Sequence, residues 1–189
     1  MSKLVVISGP SGAGKGTVVK ELLNIYKEKN DKVHLSVSAT TRLPREGEVD
    51  GVNYYFLKEE EFQRKLEEND FLEHNIYGTG KSYGTLKSHV LKYLSSGYDV
   101  ILEIDINGYK QVTQNYDDAL GIFIMPPSLE ILEKRLRDRG TETEESIQAR
   151  LQTAKEEIKN KKIYPHIVIN EDGKVIEAAK EIYEIIKND

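Results

Sequence analysis

A glycine-rich loop between an apolar run and a helical pattern constrains this chain more than any other stretch. The apolar run is Leu4-Val-Val-Ile7, and the loop reads Gly9-Pro-Ser-Gly-Ala-Gly-Lys15-Gly16-Thr17. Glycines let such a loop bend until its backbone N–H groups point inward at a phosphate chain, and the following helix adds its positive N-terminal end. Lys15 supplies a mobile positive charge for the outer phosphates. A strand, this loop and a helix in that order predict a phosphate-binding loop.

Composition narrows the class of protein. The 189 residues suit a single domain, and 31% charged with 38% hydrophobic residues is typical of a globular protein. The net charge of -5 argues against a general nucleic-acid binder, and the lack of cysteine excludes disulfides and thiolate metal sites. No apolar run approaches membrane-spanning length and no leader-like segment precedes the first strand, so we expect a cytoplasmic protein.

Strand and helix patterns alternate along most of the chain. Apolar runs that predict buried strands lie at 4–7, 98–105, 120–125 and 166–170. Such alternation predicts an α/β fold with a parallel sheet and helices on both faces. Two stretches break the alternation, and we interpret them as insertions. In 34–85 short extended runs are mixed with turn residues, and 78–85 is predicted to be a loop, whereas 128–161 is a pair of helices rich in Arg and Glu.

Polar residues follow three of the predicted strands at their carboxyl ends. The phosphate loop follows the first strand, and Glu103 and Asp105 lie at the end of another. Because side chains alternate along a strand, these two acids are expected on the same face. Arg42 and Arg45 follow a weaker strand at 33–38. Open parallel sheets bind ligands at these ends, so neighbouring strands would bring the loop, the two acids and the arginine pair to one crevice.

A phosphate loop that faces an arginine pair predicts phosphoryl transfer between two ligands. This transfer needs alignment and neutralised charge more than covalent chemistry. Planar guanidinium groups match phosphate oxygens in pairs, so Arg42 and Arg45 would hold the phosphate of the acceptor. An acceptor phosphate oxygen is already ionised at neutral pH and needs no general base. Taken alone, the two arginines would fit a solvated surface turn equally well.

Motifs in register along essentially the whole chain resemble those of the guanylate kinase family. Besides the phosphate loop, they are Ser36-Val-Ser-Ala-Thr-Thr-Arg-Leu-Pro-Arg45, Gly47-Glu-Val-Asp-Gly51 with Tyr54, Phe71-Leu-Glu73, Tyr83-Gly-Thr85, Ile101-Leu-Glu-Ile-Asp105, Pro126-Pro-Ser128 and Arg139-Gly-Thr-Glu-Thr-Glu-Glu-Ser146. The resemblance implies transfer of a phosphoryl group from ATP to GMP, with dGMP as a further expected acceptor. It implies a three-layer fold of the P-loop NTPase type, with a mixed α/β GMP-binding insertion and a helical lid. The core would span about 1–33, 86–127 and 162–189, the insertion about 34–85 and the lid about 128–161.

The resemblance also assigns roles to the matching residues. ATP would contact Gly9, Pro10, Ser11, Gly12, Ala13, Gly14, Lys15, Gly16 and Thr17 of the loop, together with Arg135, Arg139 and Asn170. GMP would contact Ser38, Arg42, Arg45, Tyr54, Glu73, Tyr83, Thr85, Glu103 and Asp105. The residues expected to act on the transferring group are Lys15, Arg42, Arg135, Arg139 and Arg150.

Glu73 gives the expected base preference a physical reason. Guanine presents N1–H and an exocyclic NH₂ on one edge, and a carboxylate accepts both, whereas adenine lacks the N1 donor. A site built to hydrogen-bond a substrate group can reject an analogue without it by about 10⁴-fold. Taken alone, Glu73 would more often be a surface strand residue, and the arginines of 128–161 would be solvated helix charges. The family context favours the functional interpretation.

Two positions depart from the family pattern. Between Glu73 and Tyr83 the chain is about one residue longer than the pattern, so Tyr77 competes with Tyr83 for the GMP phosphate. Gly16 stands where a Ser or Thr usually places a hydroxyl on Mg²⁺, and the hydroxyl comes one residue later. We therefore expect Mg²⁺ to be held mainly by ATP and water, with Thr17 or Asp105 as candidate ligands.

Two other functions compete with this interpretation. A guanylate-kinase-like module that binds phosphopeptides typically loses the phosphate loop and the lid arginines, and both are present here. A kinase for another small phosphorylated acceptor, such as AMP or a sugar phosphate, would not need Glu73 beside Ser38 and Asp105. The expected partners are ATP and GMP, with no nucleic acid or membrane, and the chain would be a monomer or a homo-oligomer.

Overall fold

A computed structural model describes residues 1–76, 80–138 and 143–189. The strands are β1 (Leu4–Ser8), β2 (Val33–Leu35), β3 (Ala39–Thr40), β4 (Tyr55–Phe56), β5 (Phe71–Ile76), β6 (Ser82–Leu86), β7 (Asp99–Glu103), β8 (Leu120–Met125) and β9 (His166–Ile169). The helices are α1 (Lys15–Glu28), α2 (Glu59–Glu67), α3 (Lys87–Ser95), α4 (Ile106–Asn115), α5 (Leu129–Asp138), α6 (Glu144–Lys159) and α7 (Val175–Asn188). A 3₁₀ turn, Asn160–Ile163, follows α6. Over these parts of the chain, every helix is too short or too polar to cross a membrane.

β1 is the central strand of a five-stranded sheet whose order is β2-β7-β1-β8-β9. All neighbouring strands are parallel, and Val5 lies between Ile101 of β7 and Leu120 of β8. Every residue of β1 is buried, because helices cover both faces of the sheet. The predicted α/β architecture with a parallel sheet is therefore confirmed.

Two apolar clusters join the sheet to its helices. Alternate residues of β1 belong to opposite clusters, Val5 and Ile7 to one and Leu4 and Val6 to the other. In the first cluster the helical side chains come from α1 and α7 and include Val18, Leu22, Tyr26, Ala179 and Ile182. In the second they come from α3 and α4 and include Val90, Leu94, Tyr109 and Val112. Each fully buried Leu, Ile or Val contributes about 1.5–3 kcal/mol, so packing more than helix propensity stabilises these helices.

A second sheet has the strand order β4-β3-β6-β5, and β6 is antiparallel to both of its neighbours. Its apolar core consists of Ala39, Phe62, Phe71 and Leu86. The prediction of a loop at 78–85 is wrong from Ser82 onward, because these residues form β6. Gly84 suits this strand, since a Cβ there would lie 2.7 Å from the carbonyl oxygen of Glu73. The turn-like composition misled the prediction, because pairing with distant strands decides the structure of this segment.

Asp99 connects three elements at the end of the main sheet opposite the phosphate loop. Asp99 is 6% exposed. Its carboxylate accepts hydrogen bonds from Lys3 N–H, Tyr26 Oη–H and Lys187 Nζ, each at 2.9 Å. Burial disfavours the charged form of Lys187, but hydrogen bonds to Asp99 and Asp31 outweigh it and raise the pKa of Lys187. The network therefore joins β7 to the ends of α1 and α7.

We expect Asp99→Ala to lower the free energy of unfolding by about 2–4 kcal/mol, because the Tyr26 hydroxyl and the Lys187 ammonium would both lose a buried hydrogen-bond acceptor. Urea unfolding measures this loss. Asp117→Ala, in the exposed turn before β8, is the matched control and should change the free energy by less than about 0.5 kcal/mol. A loss in the Asp99 variant no larger than in the control would contradict the role of the network.

Candidate active site

The carboxyl ends of β1 and β7 open into a crevice of about 630 Å³ that also reaches the second sheet. Nine of the residues predicted for the site line it: Gly9, Ser11, Lys15, Ser38, Tyr54, Glu73, Tyr83, Glu103 and Asp105. Asn75, Gly84, Ile104 and Glu157 complete the lining. The crevice thus combines the phosphate loop with acidic and aromatic side chains from the second sheet and from the end of β7.

The phosphate loop passes directly beneath the end of β8. Gly9 has a φ of 153°, and a Cβ there would lie 2.2 Å from the carbonyl oxygen of Ile124, so a side chain would collide with backbone. The Lys15 ammonium curls back over the loop and donates to the carbonyl oxygens of Gly9 at 2.5 Å and Pro10 at 3.2 Å. A second pocket of about 360 Å³ lies along the loop, and its lining includes Gly16, Thr17 and Glu103.

Asn170 and Arg135 support the phosphate loop from the side of β9. The buried Asn170 amide donates to the carbonyl oxygen of Ala13 at 2.8 Å. The Arg135 guanidinium donates to the carbonyl oxygens of Asn170 and Ala13 at 2.8 and 3.4 Å, and to Asp172 Oδ1 at 2.5 and 3.0 Å. Both residues were predicted at ATP, and the structure places them against the backbone of the loop that would hold it.

Arg150 reaches the phosphate loop from α6. Its Nη1 donates to Ser11 Oγ at 2.8 Å. The apolar stripe Ile147, Leu151 and Ala154 packs α6 onto Leu132 and Leu136 of α5, and this packing fixes the direction of Arg150. Two further predicted residues, Tyr77 and Arg139, lie outside the described residues.

Glu73 is a nearly buried carboxylate between the second sheet and the start of α4. It is 8% exposed and accepts a hydrogen bond from Thr85 Oγ1 at 2.6 Å, across the β5–β6 pair. Burial raises the pKa of Glu73 above its usual range, the Thr85 hydrogen bond opposes this, and the neighbouring Asp105 charge adds to it. Asp105 itself caps α4, because its carboxylate accepts from Gly108 N–H at 2.8 Å. A carboxylate that is buried beside another acid is suited to a ligand that donates hydrogen bonds to it.

Arg42 lies against aromatic rings and an acid of its own loop. Its guanidinium carbon is 5.3 Å from the centroid of Tyr54 and 5.7 Å from that of Phe56. Its two terminal nitrogens donate to the two carboxylate oxygens of Glu48 at 2.8 and 2.9 Å. The Tyr54 and Tyr83 rings meet edge to face with centroids 5.9 Å apart. The Arg42 guanidinium therefore lies against Tyr54, which lines the crevice together with Tyr83, whereas the side chain of Arg45 is exposed.

Comparison with known proteins decides the family. The family model described as guanylate kinase matches residues 1–189. The chain belongs to the guanylate kinase family. Guanylate kinase from Clostridium tetani is 52% identical over 184 residues, which are 97% of this chain and 84% of the relative. Guanylate kinase from Prochlorococcus marinus is 46% identical over 188 residues, 100% of this chain and 98% of the relative.

A solved structure gives the same result for the fold. The crystal structure of guanylate kinase from Anaplasma phagocytophilum matches with a TM-score of 0.73 and 31% identity. The match covers 99% of this chain and 85% of that chain. The predicted family, the α/β fold with a parallel sheet flanked by helices, and the prediction of an enzyme are confirmed.

Two acids of this guanylate kinase family member were not assigned a role from the sequence. Glu48 looks like an ordinary charge in a turn-rich segment, and its position three residues after Arg45 was the available signal. Glu157 looks like one of many helix charges. It lies seven residues after Arg150 and three after the buried Ala154, which places it on the inner stripe of α6. Burial raises the pKa of Glu157, Lys15 opposes this shift, and Asp105 adds to it.

The side-chain oxygens of Glu103 and Thr17, near Gly16, are of the type that can coordinate a magnesium ion bound together with a nucleotide. The described parts of the chain contain no group of three or more His, Asp or Glu side chains that could hold a metal unaided. Glu103 Oε1 lies 3.9 Å from where a Cβ of Gly16 would be, and Thr17 lines the same pocket. A carboxylate and a hydroxyl suit Mg²⁺, which usually completes its shell with phosphate oxygens and water. Asp105 caps α4 instead, so Glu103 is the better placed of the two acids.

Replacing Glu73 with Gln should stabilise the fold at neutral pH, because the change removes a buried charge and keeps an acceptor for Thr85. The raised pKa means that the folded chain ionises Glu73 less readily than the unfolded chain does. Wild type therefore loses stability as the pH rises through that pKa. The advantage of Glu73→Gln should vanish as the pH falls to the ordinary range for glutamate, about 4.3.

Urea unfolding of both proteins across pH measures this difference. Glu67→Gln, exposed on α2, removes an equal charge and should show no such dependence. An advantage of Glu73→Gln that is the same at every pH, or a loss of stability at neutral pH, would contradict the assignment of a buried, ionised Glu73.

Proposed function

We propose that this protein transfers the γ-phosphoryl group of ATP to GMP and thereby produces ADP and GDP for purine nucleotide metabolism. One observation carries the proposal: a single crevice is lined by both Lys15 of the phosphate loop and the nearly buried Glu73. Transfer between two phosphates requires that both nucleotides be aligned in one site and their charge neutralised. The names of the relatives, all guanylate kinases, support the same reaction.

The donor half of the proposed site is the phosphate loop. Backbone N–H groups of 9–17 and the N-terminal end of α1 would hold the ATP phosphates, and Lys15 would leave its loop carbonyls to neutralise the outer ones. Arg150, already at Ser11, would approach the transferring group, and Arg139 would join it. Asn170 and Arg135 would act by holding the loop and the adenine end of ATP.

The acceptor half of the proposed site reads guanine and holds its phosphate. Glu73 would accept N1–H and the exocyclic NH₂, which compensates for the burial of its charge. Thr85, Ser38 and Asp105 would complete the base pocket. The phosphate would lie with Arg42, Arg45, Tyr54 and Tyr83, and its oxygen attacks without a general base because it is already ionised.

Mg²⁺ is part of this proposal. Thr17 and Glu103 would hold the ion together with ATP phosphates and water. The ion would neutralise charge on the phosphates and help to orient them. Glu103 would take this role in place of the GMP contact expected from the sequence.

The two insertions acquire functions in the same proposal. The second sheet, within about 34–85, would carry GMP, and α5 with α6, within about 128–161, would form a lid that excludes water when it closes. ATP and GMP would be the partners, dGMP would be accepted as well, and the enzyme would work in the cytoplasm.

Lys15→Ala should lower the rate of ADP production from ATP and GMP by at least about 10²-fold, because the phosphates lose their mobile positive charge. A coupled ADP-release assay measures the rate. Lys20→Ala, exposed on the same helix, is the matched control and should keep the wild-type rate. Equal rates for Lys15→Ala and wild type would remove the phosphate loop from the reaction.

The same assay tests the acceptor assignment. With AMP, CMP or UMP in place of GMP, the wild-type kcat/KM should fall by about 10⁴-fold, because a buried Glu73 carboxylate would remain partly unpaired. dGMP should remain a substrate, since the base and phosphate are unchanged. Turnover of AMP comparable to that of GMP would contradict the guanine assignment and favour a kinase of different specificity.

A further inference from the structure

We propose that Glu48 is a positioning residue that holds Arg42 and the loop around it in place for the acceptor phosphate. This inference rests on the proposed function, because it concerns the phosphate end of the GMP site. It starts from an observation that the phosphoryl-transfer account does not explain: a carboxylate lies directly against the arginine that should bind an anion.

The contact between Arg42 and Glu48 is a fork-to-fork pair. Arg42 Nη1 donates to Glu48 Oε2 at 2.9 Å and Nη2 donates to Oε1 at 2.8 Å, and the two side chains are 15% and 19% exposed. Nη1 also donates to the carbonyl oxygen of Leu43 at 2.8 Å. The pair uses the terminal edge of the guanidinium. The side edge, formed by Nε–H and the second N–H of Nη2, is geometrically able to match two phosphate oxygens.

Glu48 also fixes the backbone between the two arginines. Its Oε2 accepts from Arg45 N–H at 2.7 Å, and its own N–H donates to the carbonyl oxygen of Arg45 at 3.1 Å. One carboxylate therefore binds the side chain of the first arginine and the main chain of the second. The spacing between Arg42 and Arg45 is set by this closed loop as well as by the three-residue interval in the sequence.

Aromatic side chains hold the other surfaces of the same guanidinium. Arg42 lies over Tyr54 and Phe56, and Tyr83 forms a hydrogen bond with it that contributes to its raised pKa, after the larger effect of Glu48. Hydrogen bonds from Arg42 and from Arg45 N–H lower the pKa of Glu48 to about 2, so Glu48 is ionised at neutral pH. The orientation of Arg42 is thus determined before a ligand arrives.

The negative charge of Glu48 opposes an incoming phosphate, so its presence needs a compensating gain. Arginine has many rotamers, and immobilising one of them during binding costs affinity. Glu48 removes that cost from the binding step because Arg42 is already ordered. A surface ion pair without this role would contribute little and could be removed without effect on GMP.

Glu48→Gln tests the inference, because it removes the charge and one of the two acceptors while keeping the size of the side chain. The KM for GMP should rise about tenfold while kcat and the KM for ATP change less than about twofold, since ordering of Arg42 affects acceptor binding. Glu46→Gln removes an equal charge from the same loop, is exposed, and should match wild type.

Binding measurements separate the phosphate from the base and do not depend on turnover. By calorimetry, Glu48→Gln should weaken GMP about tenfold and leave guanosine, which has no phosphate, unchanged. In an Arg42→Lys background the same change should have a much smaller effect, because lysine cannot form the bidentate pair. Thermal unfolding should show that all variants remain folded.

Three results would overturn the inference. A lower KM for GMP in Glu48→Gln would make Glu48 a competitor of the phosphate, and an unchanged KM would make it an ordinary surface charge. Equal weakening of GMP and guanosine would mean general damage to the loop. Failure of the proposed function looks different, because wild type itself would then fail to phosphorylate GMP.

Discussion

The parallel pairing of β1 with β7 on one side and β8 on the other is the constraint on which the site depends. All five residues of β1 are buried, so its register is fixed by packing on both faces as well as by hydrogen bonds. Because the three strands end at one edge, the phosphate loop, Glu103 and Asp105 are delivered to the same place. The loop then turns so tightly under β8 that Gly9 leaves no room for a side chain.

Ionised groups in this protein are held in place by partners that differ between the two ends of the sheet. Asp99, far from the crevice, is fully occupied by Tyr26, Lys187 and a main-chain N–H, which suits a group that stabilises the fold. Glu73, in the crevice, accepts a hydrogen bond from Thr85, and its pKa is raised. A raised pKa of this kind is what the proposed guanine-binding role would produce, because residues that bind ligands commonly reduce the stability of the fold.

The sequence was sufficient for the phosphate loop, the parallel sheet and the family, since each rests on local periodicity or on motifs of many residues. The sequence was insufficient where contacts between residues far apart in the chain determine the local structure or the partners of a side chain. β6 contains Gly84 and follows a turn-like segment, and its pairing with β3 and β5 makes it a strand. Arg135 is expected at ATP from the sequence, but the sequence does not show that Asp172 and two carbonyl oxygens also hold its guanidinium. Glu48 and Glu157 resemble solvated charges until the fold shows what they face.

The central claim is that the phosphate loop and the Glu73 pocket form one site for two nucleotides. Calorimetry with a linked dinucleotide, in which adenosine and guanosine are joined through five phosphates, tests it most directly. One such molecule should bind per chain and should exclude both ATP and GMP. If the protein saturated with the linked compound still bound GMP, or still bound ATP, the two halves would not share a crevice and the account would be wrong.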